Sequence, residues 1–284
     1  MEEIISPHNI DEQQTIQLNY IDIFEIKKRL KGSFIGKNLY YEQKVDSTNT
    51  LARELAVKGV KNGSVVISDF QEKGRGRNGK FWTSPCACNI YMSIILRPKF
   101  TPENAQGMTI LTAVSAADAI AETSSLTPQI KWPNDILIDS KKVSGILTEM
   151  GTQNMTIEYI IVGIGMNVNI LEKDLDDGIK NIATSLLIES KKANAQAGII
   201  DRNLLIAAIL NKFDKYYEMF LSTGLPTVLE HYQKYFGMMG KTIAINVKDK
   251  KVEGQVVGID SKGALLLKTG ENELERIVSG EIYF

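Results

Sequence analysis

The sequence predicts an α+β protein: a mainly antiparallel mixed sheet with helices packed on one side, followed by a small C-terminal β-barrel. Three observations carry that expectation. Between Ile130 and Gly163 short apolar runs follow one another across tight turns, the pattern of successive hairpins. Two long stretches, opened by Thr101 with Pro102 and by Asp201, instead repeat apolar residues at helical spacing. Beyond residue 238 the chain changes to short alternating strands, KTIAINV, VEGQVVGID, GALLLKT and LERIVSGEIYF, separated by DKK, DSKG and GENE turns. Hairpins in series with helices gathered elsewhere form the layers of an α+β fold.

Taken in order, residues 1–18 are polar and acidic with little periodicity and read as a loose leader, too short for a DNA-binding helix-turn-helix domain. Ile23, Phe24 and Leu30 suggest a short helix between Tyr20 and Leu30, stopped by Gly32, with a strand near Asn38 to Gln43 after it. In VDSTNTLARELAVKG, residues Ser47, Thr48 and Asn49 are all good helix N-caps, Leu51 and Leu55 share a face, and Gly59 is placed for a C-cap. Strands follow at Ser64 to Phe70 and Asn89 to Leu96. The helix opened by Pro102 carries Met108, Leu111, Val114, Ala117 and Ala121 on its apolar side. Strands at Ile130 to Trp132, Ile136 to Ile138, Lys142 to Met150 and Thr156 to Gly163 turn at DS and GTQN. Asp201 caps a second long helix, whose stripe Leu205, Ile209, Phe213, Tyr217 and Phe220 reads as core, ending at Gly224 and Pro226. A short helix ends near Phe236. The expected organisation is therefore a leader at 1–18, a large domain at 19–237 and a barrel at 238–284.

Composition excludes several classes. With 43% apolar and 24% charged residues the chain is an ordinary globular one. Its 33 basic and 34 acidic residues give a net charge of -1, so no global field draws it to nucleic acid or an anionic membrane. No apolar run approaches the roughly 20 residues of a membrane span, and the cytoplasm is the expected compartment. Cys86 and Cys88, two apart, would face one side of a strand as packed, reduced thiols, and no second pair completes a zinc site.

Three stretches exceed what plain folding requires. GRGRNGKFW, residues 74–82, fits the dinucleotide fingerprint through Gly74, Gly76 and Gly79, and the P-loop through Gly74, Gly79 and Lys80 until Phe81 replaces the hydroxyl. Both templates need a helix directly after the glycines, to present its N-terminal N–H groups to phosphate. Here Lys80 to Pro85 leads to a strand, so neither applies. What is left is a glycine loop with Arg75, Arg77 and Lys80, read either as a solvated basic hairpin or as a clamp for a bound anion. KWPNDILIDSKKVSGILTEM, residues 131–150, joins a Trp, a turn carboxylate and lysines at a strand mouth; each alone is ordinary, together they form a polar constellation. In VGIGMNVNI, residues 162–170, Gly163 and Gly165 interrupt an apolar strand, marking a bulge or a close approach, with Asn167 and Asn169 on one face or simply at a strand end.

VDSTN, GRGRNGKFW, KWPND with Lys142 and Gly145 downstream, and GIGMNVN resemble, in order and spacing, the biotin protein ligases, the biotin–[acetyl-CoA-carboxylase] ligase family. The likeness runs from about residue 20 to the C-terminus. It implies a class II synthetase-like catalytic domain with an SH3-like terminal barrel, in a monofunctional type without an N-terminal DNA-binding domain. It further implies a reaction in which biotin and ATP with Mg2+ form biotinyl-5'-AMP, and biotin then passes to one lysine of a biotin carboxyl carrier protein domain. By the same resemblance Ser47, Thr48, Asn49, Gln71, Arg75, Gly76, Arg77, Lys142 and Gly145 are expected to bind biotin. Arg75, Arg77, Asn78, Lys80, Trp82, Asn134, Lys142 and Asn167 are expected at ATP and the adenylate. Lys142, Arg75 and Asp135 are the expected catalytic residues, Asp135 helping the acceptor lysine to lose its proton. No protein ligand for the metal is assigned, and a homodimer is compatible with the family. The family often has Arg where Lys80 stands, so the bidentate fork is missing there. A lipoate or octanoyl transferase shares the catalytic fold but lacks the GRGR-type loop.

Overall fold

The computed structural model describes residues 20–247, 250–270 and 273–283, so the leader 1–18 lies outside the described residues. The larger unit begins with α1 (Ile23–Arg29), β1 (Leu39–Val45), α2 (Thr48–Val57), β2 (Ser64–Gln71) and β3 (Ile90–Leu96). Then come α3 (Gln106–Ser124) and four strands, β4 (Gln129–Lys131), β5 (Asp135–Ile138), β6 (Lys141–Gln153) and β7 (Thr156–Met166). Three helices follow, α4 (Leu186–Ala193), α5 (Arg202–Thr223) and α6 (Leu225–Gln233). The terminal unit consists of β8 (Thr242–Val247), β9 (Lys250–Ile259), β10 (Leu265–Lys268), β11 (Leu274–Ile277) and β12 (Glu281–Tyr283).

A seven-stranded sheet in the order β1-β2-β3-β7-β6-β5-β4 forms the centre. Only β1 and β2 pair in parallel; β2, β3, β7, β6, β5 and β4 pair antiparallel in sequence across the sheet. One face carries Val65, Ile67, Ile94, Val162 and Ile164 into the main core against α3 and α5. The alternate residues Val66, Ile95 and Ile161 pack on the other face against Ala52 and Ala56 of α2. Because strand side chains alternate, that single helix leaves much of its face open beside it. The terminal strands make a five-stranded antiparallel sheet, β11-β10-β9-β8-β12, whose Ile243, Val252 and Leu267 join the main core.

Caps behave as their chemistry requires at two helices and not at a third. The Asp22 carboxylate accepts from the N–H groups of Phe24 and Glu25 at α1, and that of Asp201 accepts from Asn203 and Leu204 at α5. At α2 the Ser47 side chain caps nothing; Gln71 Oε1 instead accepts from Thr48 N at 2.9 Å. An α-helical start at Pro102 is also modified, since Pro102–Ala105 is a 3-10 turn ahead of α3.

Three expectations are corrected. Strand β7 runs on through Gly163 and Gly165 to Met166 without a register shift, so these glycines mark no bulge. The turn placed at GTQN falls at Asn154 and Met155, which both take positive φ, and β6 extends to Gln153 to meet it. Cys86 and Cys88 share no strand face. They lie in a turn before β3 in which Ala87 has φ +56°, breaking the extended geometry that the reading assumed. Both thiols are free, but Cys86 is exposed and only Cys88 is partly packed. Burial pushes the Cys88 thiol up to about 12.

Candidate functional site

The open region beside α2 is where the sequence motifs meet. Two cavities adjoin there. The inner one, about 50 Å³, is lined by Ser47, Thr48, Asn49, Gln71, Arg75 and the strand glycines, among others. The outer one, about 480 Å³, reaches from residues 76–83 across Lys131 to Asp135 and on to Asn167, Ala183 and Glu281. Gly76, Arg77, Trp82, Asn134 and Lys142 belong to the linings of both and form the wall between them.

The floor is set by missing side chains. A Cβ on Gly165 would stand 2.6 Å from Trp82 Cε2, and one on Gly163 would collide with the Asn49 amide. One on Gly145, which pairs with Gly165 across the sheet, would meet Lys142 and Trp82 at 3.1 Å. The close approach read from GIGMN is thus made by the protein's own indole and amide, brought against bare backbone.

A chain of hydrogen bonds underlies the inner cavity. The Ser93 hydroxyl lies 2.8 Å from Thr48 Oγ1 and 2.7 Å from Asn49 Oδ1. Gln71 accepts from Thr48 through Oε1 and donates from Nε2 to Ser84 Oγ at 2.9 Å. Hydroxyls and the two carboxamides of Asn49 and Gln71, almost wholly buried, therefore present mixed donors and acceptors that carry no formal charge.

Residues 74–82 fold as a small hairpin. Arg75 bridges Phe81, Gly76 N donates to Lys80 O, and Trp82 N donates to Gly74 O at 3.0 Å. Arg77–Gly79 makes one 3-10 turn, with Asn78 at φ 54°, and no α-helix follows, which disposes of both phosphate-loop templates structurally. Arg75 Nη2 donates to Glu149 Oε2 at 2.7 Å, Arg77 Nη1 donates to Asn134 Oδ1 at 2.8 Å, and Lys80 pairs with Glu281 of β12. The three cations read from the loop are accordingly aimed at three different places.

On the KWPND side, Lys142 Nζ is 2.7 Å from Asp135 Oδ1 and 5.5 Å from the centre of the Trp82 ring. Lys131 Nζ donates to the Ile282 carbonyl of β12 at 3.3 Å. Burial holds the Lys131 ammonium below the ordinary lysine range, against the pull of Asp135 and with the push of Lys142. Trp132, 1% exposed, donates its Nε1 to Gly263 O at 2.9 Å, locking the motif onto the terminal unit. Asn167 follows β7 and donates from Nδ2 to Thr184 O at 3.0 Å at the rim of the outer cavity. Asn169 exchanges hydrogen bonds with the Ile200 backbone and serves the fold instead.

The residues expected at the site from the family resemblance thus all line one of the two cavities, whereas Asn169 lines neither. Sequence reasoning missed Glu149, Ser93 and Glu281, whose partners lie 74, 45 and 201 residues away. Among the described residues no three His, Cys, Asp or Glu side chains gather as a metal cage, and no helix is long and apolar enough to cross a membrane.

Comparison with known proteins identifies the family. Residues 41–167 match the Biotin/lipoate A/B protein ligase family, and residues 239–284 match the biotin protein ligase C terminal domain. The bifunctional ligase/repressor BirA of Bacillus subtilis is 36% identical over 258 residues, which cover 91% of this chain and 77% of that protein. The biotin–[acetyl-CoA-carboxylase] ligase of Paracoccus denitrificans is 27% identical over 85% of this chain and 98% of its own length. Among solved structures, a biotin protein ligase from Aquifex aeolicus in complex with biotin and ATP superimposes with a TM-score of 0.73 at 29% identity, covering 87% of this chain and 98% of the other. With the family's two domain types in succession and a relative 36% identical across 91% of this chain, the chain belongs to the biotin protein ligase family.

Proposed function

We propose that this protein joins biotin to ATP as biotinyl-5'-AMP, releasing pyrophosphate, and then transfers the biotinyl group to one lysine of a biotin carboxyl carrier protein domain. One observation carries the reading: a small inner cavity lined by the Ser47, Thr48, Asn49 and Gln71 hydrogen-bonding groups and a larger cation-lined outer cavity meet at a wall that contains Arg77 and Lys142. A ureido ring suits the inner cavity and a nucleotide the outer. The biotin carboxylate then lies at the wall, where its oxygen attacks the α-phosphorus and pyrophosphate leaves. Two anions repel each other, so cations fixed at that wall lower the barrier by stabilising charge as it develops.

In this reading Ser47, Thr48 and Gln71 hold the ureido group, with Gly145 leaving room behind it. Arg75, Gly76 and Arg77 close over biotin and the adenylate. Lys142 contacts the carboxylate and the α-phosphate, while Asn78, Lys80, Trp82, Asn134 and Asn167 surround the nucleotide. In the second step the acceptor amine attacks the acyl carbonyl, AMP leaves, and Asp135 assists loss of the amine proton. A lysine with an ordinary pKa near 10.4 needs that help at neutral pH. Mg2+ fits as an ion held mainly by the phosphates and water, which is its usual habit, with Asp135, Asp176 and Glu281 the carboxylates within the outer lining. The terminal unit, residues 238–284, forms part of the nucleotide side through β12. Cytoplasmic location and a homodimer complete the proposal.

The test is incubation of the purified protein with biotin, ATP, Mg2+ and an apo carrier domain, read by mass spectrometry of the carrier. A mass increase of one biotinyl group is expected. No transfer of biotin overturns the proposal, and lipoyl transfer in its place would reassign the enzyme. Sedimentation velocity decides the dimer.

A further inference from the structure

Glu149 belongs to none of the motifs, yet it ties two of them together. Its Oε2 accepts from Arg75 Nη2 and from Asn49 Nδ2, both at 2.7 Å, so one carboxylate oxygen bridges the glycine hairpin to the start of α2. Glu149 reaches that spot from β6, where its backbone partner is Ile161 and where Gly145 and Leu147 share its face. Both amide hydrogens of Asn49 are engaged, Nδ2 donating to Glu149 and to the Leu147 carbonyl, and its Oδ1 lies at 2.7 Å from Ser93 Oγ. It is a fixed post. Arg75, by contrast, keeps a buried Nε–H with no partner among the described residues, a donor left over at the cavity edge.

The inner cavity behind this bridge holds about 50 Å³, against the roughly 300–1,000 Å³ of ordinary small-molecule sites. A bicyclic ligand therefore requires the hairpin to lift or Trp82 to shift. We propose that the Arg75–Glu149 pair is the latch of that hairpin, with Glu149 a positioning residue that gates entry of the ring-bearing substrate and exit of the adenylate. The pair also cancels the charge of Arg75 at the inner cavity. That leaves a neutral ring favoured there and confines the substrate's carboxylate to the wall near Lys142. This inference rests on the proposed ligase reading.

Stopped-flow fluorescence tests it, since the chain has only two tryptophans and Trp82 lines the cavity. Glu149→Ala is expected to raise both the association rate of biotin and the release rate of preformed biotinyl-AMP by about tenfold, the scale of one charged hydrogen bond. Glu149→Gln, which keeps an acceptor, should fall between wild type and Glu149→Ala. In an Arg75→Ala background Glu149→Ala should add nothing. A purely structural role would slow association or leave it alone. Unchanged rates in Glu149→Ala, or effects of the two substitutions that multiply, overturn the latch. If Glu149→Ala does not fold, the same comparisons are made with Glu149→Gln. A wild-type protein that forms no biotinyl-AMP would instead overturn the ligase reading itself.

Discussion

Lys142 Nζ, on the wall between the two cavities, stands 2.7 Å from Asp135 Oδ1 of the outer cavity, on the adjacent strand of the same hairpin. In the proposed reaction this ammonium has two duties, to contact the substrate carboxylate and to hold the Asp135 carboxylate beside it. Lys142→Ala should slow biotinyl-AMP formation in single turnover by about 100- to 1,000-fold, the usual cost of removing one preorganised group aimed at developing charge. Asp135→Asn keeps the shape but removes the base. Its larger loss, about 100-fold, should fall on transfer to the carrier. Formation at the wild-type rate in Lys142→Ala would remove its assigned role.

Gly165 offers a test that leaves every polar group in place. A Cβ there meets the Trp82 ring 2.6 Å away, and the ring is pinned between β7 and Lys142. Gly165→Ala should cost about 1–3 kcal/mol of stability by overpacking. It should also raise the KM for ATP more than it lowers kcat, because Trp82 borders the outer cavity. Urea denaturation and steady-state kinetics check the two parts; unchanged values for both would mean that the ring moves aside freely.

The charge around Lys131 has a pH signature. Burial lowers its pKa in the folded protein, with Asp135 opposing, whereas in the unfolded chain it titrates near the ordinary 10.4. Between those two pH values the unfolded chain holds more protons, so this group makes stability rise with pH. Relative to Lys131→Met, the wild type should therefore gain stability as pH rises through the alkaline range towards the ordinary lysine pKa near 10.4. A difference between the two proteins that is flat or falls over that range would contradict it.

Much of the fold was legible because it is written locally. Apolar alternation and turn residues placed every strand of the central sheet to within a few residues, and Asp201 behaves as the cap its type suggests. The site motifs were legible for the same reason: glycines within strands and basic residues in a loop are unusual without any partner in view. Partners were not. Nothing near Glu149 in sequence points to Arg75, and nothing near Gln71 says that it, not Ser47, satisfies the start of α2. The buried pair of Asp69 with Arg202, 1% or less exposed, was equally silent, since each residue reads alone as an ordinary strand end and helix start. Helix α4, eight residues after a long loop, gave too short a pattern to register.

The hairpin tip gives the last test. Asn78, Gly79 and Lys80 are exposed, and Phe81 is 85% exposed; the hairpin is tied down by Arg75 and Arg77 at its base and by the Lys80 pair with Glu281 at its tip. Trypsin recognises Arg75, Arg77 and Lys80, and cleavage needs several residues of locally opened chain. If the hairpin closes over biotinyl-AMP, the ligand must stabilise the closed state by mass action. At a ligand concentration ten times Kd, cleavage within residues 74–82 should then slow by about tenfold. Peptide mapping of limited digests reads this directly, and equal cleavage with and without biotin and ATP would mean that the hairpin does not respond to the ligand.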